Sequence, residues 1–112
     1  APGIMAQEMA GRGGLMMHYS TDYVFDGTKT TPWNEDDTPN PMSVYGSTKL
    51  EGEEAVRAAG GVHLIFRTAW VYGRRGGNFM LTMIRLMKDR DELRVVADQH
   101  GTPTWCRTLT EV

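Results

Sequence analysis

The chain has 112 residues, of which 40% are hydrophobic and 23% charged, with a formal net charge of -2. That is ordinary globular composition, and three lysines with a pI near 5.9 exclude the basic face that counterion-releasing nucleic-acid binding needs. No apolar run approaches a membrane span, and the opening APGIMAQEMAGRGG lacks the layout of a signal peptide, so a cytoplasmic domain with no membrane and no nucleic-acid partner is expected.

Residues 2–11 carry Ile4, Met5 and Met9 and are followed by Gly11, Gly13 and Gly14, which predicts a helix and its stop. Leu15 to Ser20 is a near-continuous apolar run, the kind of strand found in parallel sheets covered on both faces. From Asp26 to Pro41 the chain turns to Gly, Thr, Asp, Asn and Pro and reads as a surface loop. Asn40-Pro41 then predicts the start of a helix running to about Ala59, ended by Gly60-Gly61. Its small and apolar stripe is Val44, Thr48, Gly52, Ala55, Val56 and Ala59, with Gly52 allowing close approach to another element. Val62 to Val71 is the next predicted strand and Tyr72 to Gly77 a turn. Asn78 caps a helix whose core face is Phe79, Met80, Met83, Ile84 and Met87. Leu93 to Ala97 completes the order as a third strand, and another helix could begin within Thr108 to Val112.

The order α, β, α, β, α, β predicts right-handed crossovers and an α/β fold, part of a Rossmann-like three-layer α/β/α parallel sheet. Residues 1–112 are expected to be a single partial domain. Starting inside one helix and ending where another could begin, the chain reads as cut from something longer. Its two open sheet edges also predict a homo-oligomer. Cys106 reads as a small buried hydrophobe, and His18, His63 and His100 show no metal-ligand spacing, so no metal is expected.

The segment YGSTK, Tyr45 to Lys49, sets a phenol and an ammonium four residues apart, on one face of the predicted helix. An ammonium beside a phenol favours the phenolate electrostatically, which suits such a pair to proton transfer. The octapeptide STDYVFDG, Ser20 to Gly27, lies at the C-terminal end of a predicted strand, the edge where open α/β sheets bind ligands.

With Pro39 and Pro41, RTAWVYG at Arg67 to Gly73, and ADQHGTPT at Ala97 to Thr104, these segments resemble the extended short-chain dehydrogenase/reductase superfamily over essentially the whole chain. Within it, they are most similar to the reductases of dTDP-4-keto sugars. The resemblance implies NADPH or NADH as cofactor, a dTDP-sugar substrate, and reduction of the 4-keto group of dTDP-4-dehydro-6-deoxy-L-mannose to dTDP-L-rhamnose. It implies a catalytic triad of Thr21, which holds the keto oxygen, Tyr45, which protonates it, and Lys49, which binds the nicotinamide ribose and tunes the tyrosine. Ser20, Tyr45 and Lys49 would meet the cofactor, and Thr21, Asp22, Tyr23, Trp70 and Asn78 the substrate. The residues alone leave other roles open: Thr21 as a strand-end cap, Tyr23 and Phe25 as loop anchors, Trp70 as core packing. Arg74 and Arg75, beside Gly76-Gly77-Asn78, could grip a diphosphate or simply be solvated.

One feature of the superfamily is absent. Its glycine-rich dinucleotide fingerprint follows the first strand, whereas Gly11 to Gly14 precede one here, so the isolated chain is expected to be inactive. Two other readings share these motifs: a nucleotide-sugar epimerase or dehydratase, and a non-catalytic binding subunit like the regulatory beta subunit of methionine adenosyltransferase.

Overall fold

The computed structural model describes residues 1–112. The elements in order are helix α1 (Pro2–Gly11), strand β1 (Met16–Thr21), a 3-10 turn (Asp22–Val24), α2 (Val44–Ala58), β2 (His63–Tyr72), α3 (Phe79–Asp89), β3 (Pro103–Trp105) and a 3-10 turn (Thr108–Thr110). The expected α/β class holds. The sheet runs β1-β2-β3 with parallel pairing, each strand following the one before it through a crossover. The chain forms two compact units, residues 1–67 and 68–112.

In the first unit, α1 and α2 pack on each other and on β1. Ala6, Met16 and Val56 form the buried cluster, with Met9, Ala59 and Ile65 against it. Burying Val56 fully is worth about 1.5–3 kcal/mol. The helices approach closely because Gly3 faces Ala55, where a Cβ would stand 3.0 Å from the alanine methyl. Gly52 lies against Pro2 and His18, as its expected close approach requires. α2 ends as expected, with Gly60 in the left-handed region at φ +73°.

The α2 start differs from the sequence expectation. Asn40 does not cap it: its amide donates to Asp26 at 3.0 Å and its N–H to the Val24 carbonyl, closing the 26–40 loop. Ser43 is the cap, its Oγ accepting from the Gly46 N–H at 3.1 Å. The predicted apolar stripe is also incomplete, because Val44 is 82% exposed and the most buried position of the helix is Glu53.

In the second unit, β2 continues to Tyr72, and Asn78 caps α3 as expected, its Oδ1 accepting from the Leu81 N–H at 3.0 Å. The predicted strand at Leu93–Ala97 does not form; those residues are irregular, and Val95 and Val96 are exposed. A strand needs a ladder, and β2 gives its ladder to Pro103–Trp105. Phe79, Met80, Ile84 and Met87, the expected core face of α3, are exposed, and Cys106 is exposed rather than buried.

Candidate functional site

The C-terminal end of β1 carries Ser20 and Thr21, both buried, and the chain then tightens into the 3-10 turn 22–24. Thr21 caps that turn: its Oγ1 accepts from the Tyr23 N–H and donates to Asp22, both at 3.3 Å. It is only 4% exposed. The capping role left open by the sequence is therefore real, and the hydroxyl proton would have to leave a long bond to Asp22 to serve a substrate oxygen.

Helix α2 packs on this turn through Gly46, whose Cβ, if present, would stand 2.2 Å from the Tyr23 carbonyl oxygen. This close approach sets Tyr45 edge-on to Tyr23, with ring centroids 6.1 Å apart. Both rings are more than half exposed, Tyr45 at 57%, so they line an open surface. One helical turn along, Lys49 is half-buried and donates from Nζ to the Tyr19 carbonyl at 2.6 Å, which fixes its stem against β1. Thr48 turns its hydroxyl back to the Tyr45 carbonyl at 2.9 Å.

Glu53, missed by the sequence reading, anchors the arrangement. Its side chain has no exposed surface. Arg67 of β2 grips it with two parallel bonds, Nε to Oε1 at 3.0 Å and Nη2 to Oε2 at 2.7 Å, and Arg57 adds a third at 3.0 Å. Burial pushes the Glu53 carboxyl up, but the bonds from Arg67 and Ser20, the Arg67 charge and the Arg57 bond together hold it below the usual carboxylate range. The Arg67 guanidinium also lies over the Phe25 ring at 4.9 Å, and Phe25 stacks on Trp33 at 4.4 Å. Phe25 is thus a loop anchor, whereas the exposed Tyr23 is not. The sequence carried little signal for it: Glu53 is one of three neighbouring glutamates, with Glu51 and Glu54, and only the fold singles it out for the arginine opening RTAW. His18 lies behind the same face with Nε2 buried and unpartnered. Burial, then the Lys49 charge, lowers its pKa, and Glu53 opposes that shift.

In the second unit Trp70 is 46% exposed, so it is not core packing. Its φ of +46° is the one left-handed value outside glycine, a conformation costing about 1–3 kcal/mol. Asn78 is committed at both ends of its amide, to the α3 cap and, through Nδ2, to the Gly73 carbonyl at 2.8 Å. Arg74 and Arg75 are solvated.

Ser20, Thr21, Asp22, Tyr23, Tyr45 and Lys49 therefore share the β1 edge of the first unit, while Trp70 and Asn78 belong to the second. The exposed phenol and the lysine one turn away suit the ribose and nicotinamide end of a dinucleotide. The pyrophosphate end has no counterpart here, since Gly11 closes α1 and Gly13 and Gly14 precede β1. No group of three or more His, Cys, Asp or Glu converges as a metal site.

Comparison with known proteins identifies the family. A dTDP-4-dehydrorhamnose reductase of Burkholderia thailandensis is 52% identical over 111 residues, covering 99% of this chain and 37% of its own length. The solved structure of the Bacillus anthracis dTDP-4-dehydrorhamnose reductase in complex with NADP superposes with a TM-score of 0.91 at 40% identity, covering 98% of this chain and 39% of that one. Its Clostridium acetobutylicum counterpart gives 0.89 at 47% identity, covering 98% and 40%. The chain thus spans little more than a third of these relatives. The profile described as the RmlD substrate binding domain matches residues 1–112 throughout, and the chain belongs to that family.

Proposed function

We propose that these residues are the catalytic segment of an NADPH-dependent reductase that turns the 4-keto group of dTDP-4-dehydro-6-deoxy-L-mannose into the hydroxyl of dTDP-L-rhamnose. In this reading they are the C-terminal half of a Rossmann-like domain acting in the cytoplasm. Support comes from the names of the relatives and the NADP of the Bacillus anthracis structure. The observation that carries the reading is the exposed Tyr45 phenol one turn from Lys49, above the strand end that bears Thr21.

When bound, the dinucleotide supplies the hydride for the carbonyl carbon. Tyr45 gives its phenolic proton to the carbonyl oxygen, which would otherwise become an alkoxide. Lys49, held at the Tyr19 carbonyl, keeps a positive charge near the phenolate left behind and offers its remaining protons to the ribose. Thr21 donates to the same substrate oxygen once its proton turns from Asp22. Donors preset around that oxygen stabilise the transition state more than the ketone.

Tyr45→Phe in the full-length protein tests this. The substitution keeps the ring against Tyr23 and deletes the proton donor, so kcat should fall by about 10²–10⁴ with the melting temperature retained. A kcat within about twofold of the parent would sink the proposal.

A further inference from the structure

We infer that Gly101 is a positioning residue for the Trp70 indole, the ring that the family resemblance already sets against the nucleotide sugar. The inference rests on the function proposed above.

Three observations meet at Trp70. In the parallel ladder, Ala69 pairs with Pro103 and Val71 with Thr104, so Trp70 is the extra residue of a bulge in β2. It also holds the chain's one non-glycine left-handed backbone, at φ +46°, clamped by ladder partners on both sides. Bulges and such dihedrals re-aim a side chain that regular alternation would send elsewhere.

The third observation is the close approach of Gly101. A Cβ there would stand 2.8 Å from Cε2, 3.0 Å from Cζ2 and 3.1 Å from Cδ2 of the Trp70 ring. Gly101 has no left-handed φ of its own and is exposed, so neither backbone conformation nor core packing calls for glycine. The indole does. The ring fills the space where a side chain at position 101 would begin, while 46% of the residue stays open to solvent. A flat aromatic surface open to solvent suits the stacking of a sugar or base ring. A methyl at position 101 would lift or turn the indole as a unit, because the clash is with the ring and not with the backbone.

The experiment compares Gly101→Ala, Trp70→Ala and the double variant in the full-length enzyme, measuring KM for the nucleotide sugar, KM for NADPH and melting temperature. Gly101→Ala should raise the nucleotide-sugar KM about tenfold and leave the NADPH KM alone. Trp70→Ala should raise the nucleotide-sugar KM at least as much. In the Trp70→Ala background, Gly101→Ala should add nothing, since there is no ring left to displace. A Gly101→Ala KM within about twofold of the parent, beside a raised Trp70→Ala KM, overturns the positioning role. So does a Gly101→Ala effect on KM or melting that persists without the indole. An unchanged KM in Trp70→Ala removes the platform, and the inference with it, while the Tyr45→Phe result stands or falls separately.

Discussion

Glu53 is ionised with no exposed surface, which it tolerates because two guanidinium groups reach its oxygens. Glu53→Gln would leave Arg67 facing a neutral amide and should cost about 3–5 kcal/mol, read as a lower denaturation midpoint. Acid should act on the same bonds. The folded Glu53 pKa lies below its ordinary 4.5, so its stabilisation is complete above that value and is lost as the pH falls through the folded one. His18 acts earlier and in the same direction. Its folded pKa lies below 6.5, so from about that pH downward the unfolded chain binds the proton more readily and stability drops. A melting temperature that falls in two stages on acidification is expected, with the upper stage missing in His18→Phe. A melting temperature that rose between pH 6.5 and 4.5 would contradict the His18 assignment, and one that rose below 4.5 the Glu53 assignment.

At the scale of elements, the contact between α2 and the 22–24 turn decides where Tyr45 stands. Gly46→Ala is an informative change because two effects oppose each other. Helix propensity favours alanine by about 1 kcal/mol. The new methyl, however, would sit 2.2 Å from the Tyr23 carbonyl oxygen and 3.0 Å from the Pro41 Cβ, and backbone cannot rotate away as a side chain can. Overpacking of this kind costs about 1–3 kcal/mol, so the clash wins. Gly46→Ala should lower both melting temperature and kcat in the full-length protein, by moving Tyr45 off the turn. A raised melting temperature with kcat intact would mean that the helix has room to spare. The start of α2 was misread for a related reason. Asn40-Pro41 has the right residue types, but the Asn40 amide is taken by Asp26, and Ser43 caps the helix three residues later.

The whole molecule buries few large apolar side chains: the buried hydrophobics are Ala6, Met16, Val24, Phe25 and Val56. Ile4, Met5, Phe79, Ile84 and Met87 are exposed, on helices that are otherwise well formed. β1 and β3 are both sheet edges. The 112 residues purified alone should therefore self-associate, which sedimentation velocity at tens of micromolar would detect against the 12.5 kDa expected of a monomer. They should also show no NADPH oxidation with the dTDP-4-keto sugar, because no glycine-rich turn follows β1 to hold a pyrophosphate. Turnover by the isolated segment would overturn this.

What the sequence determined by itself is what local chemistry determines. Helix α1, both long strands, the Asn78 cap and the Tyr45–Lys49 spacing are written in periodicity and in residue types that act within a turn or two of their own position. Glu53, Gly46, Gly101 and the third strand were not legible that way. Each depends on a partner brought close only by folding: Arg67 for Glu53, the Tyr23 carbonyl for Gly46, the Trp70 ring for Gly101, and the far half of β2 for Pro103–Trp105 rather than Leu93–Ala97. A buried charge, a missing methyl or a ladder has no local signature, because the energy that selects it lies in a contact between distant residues.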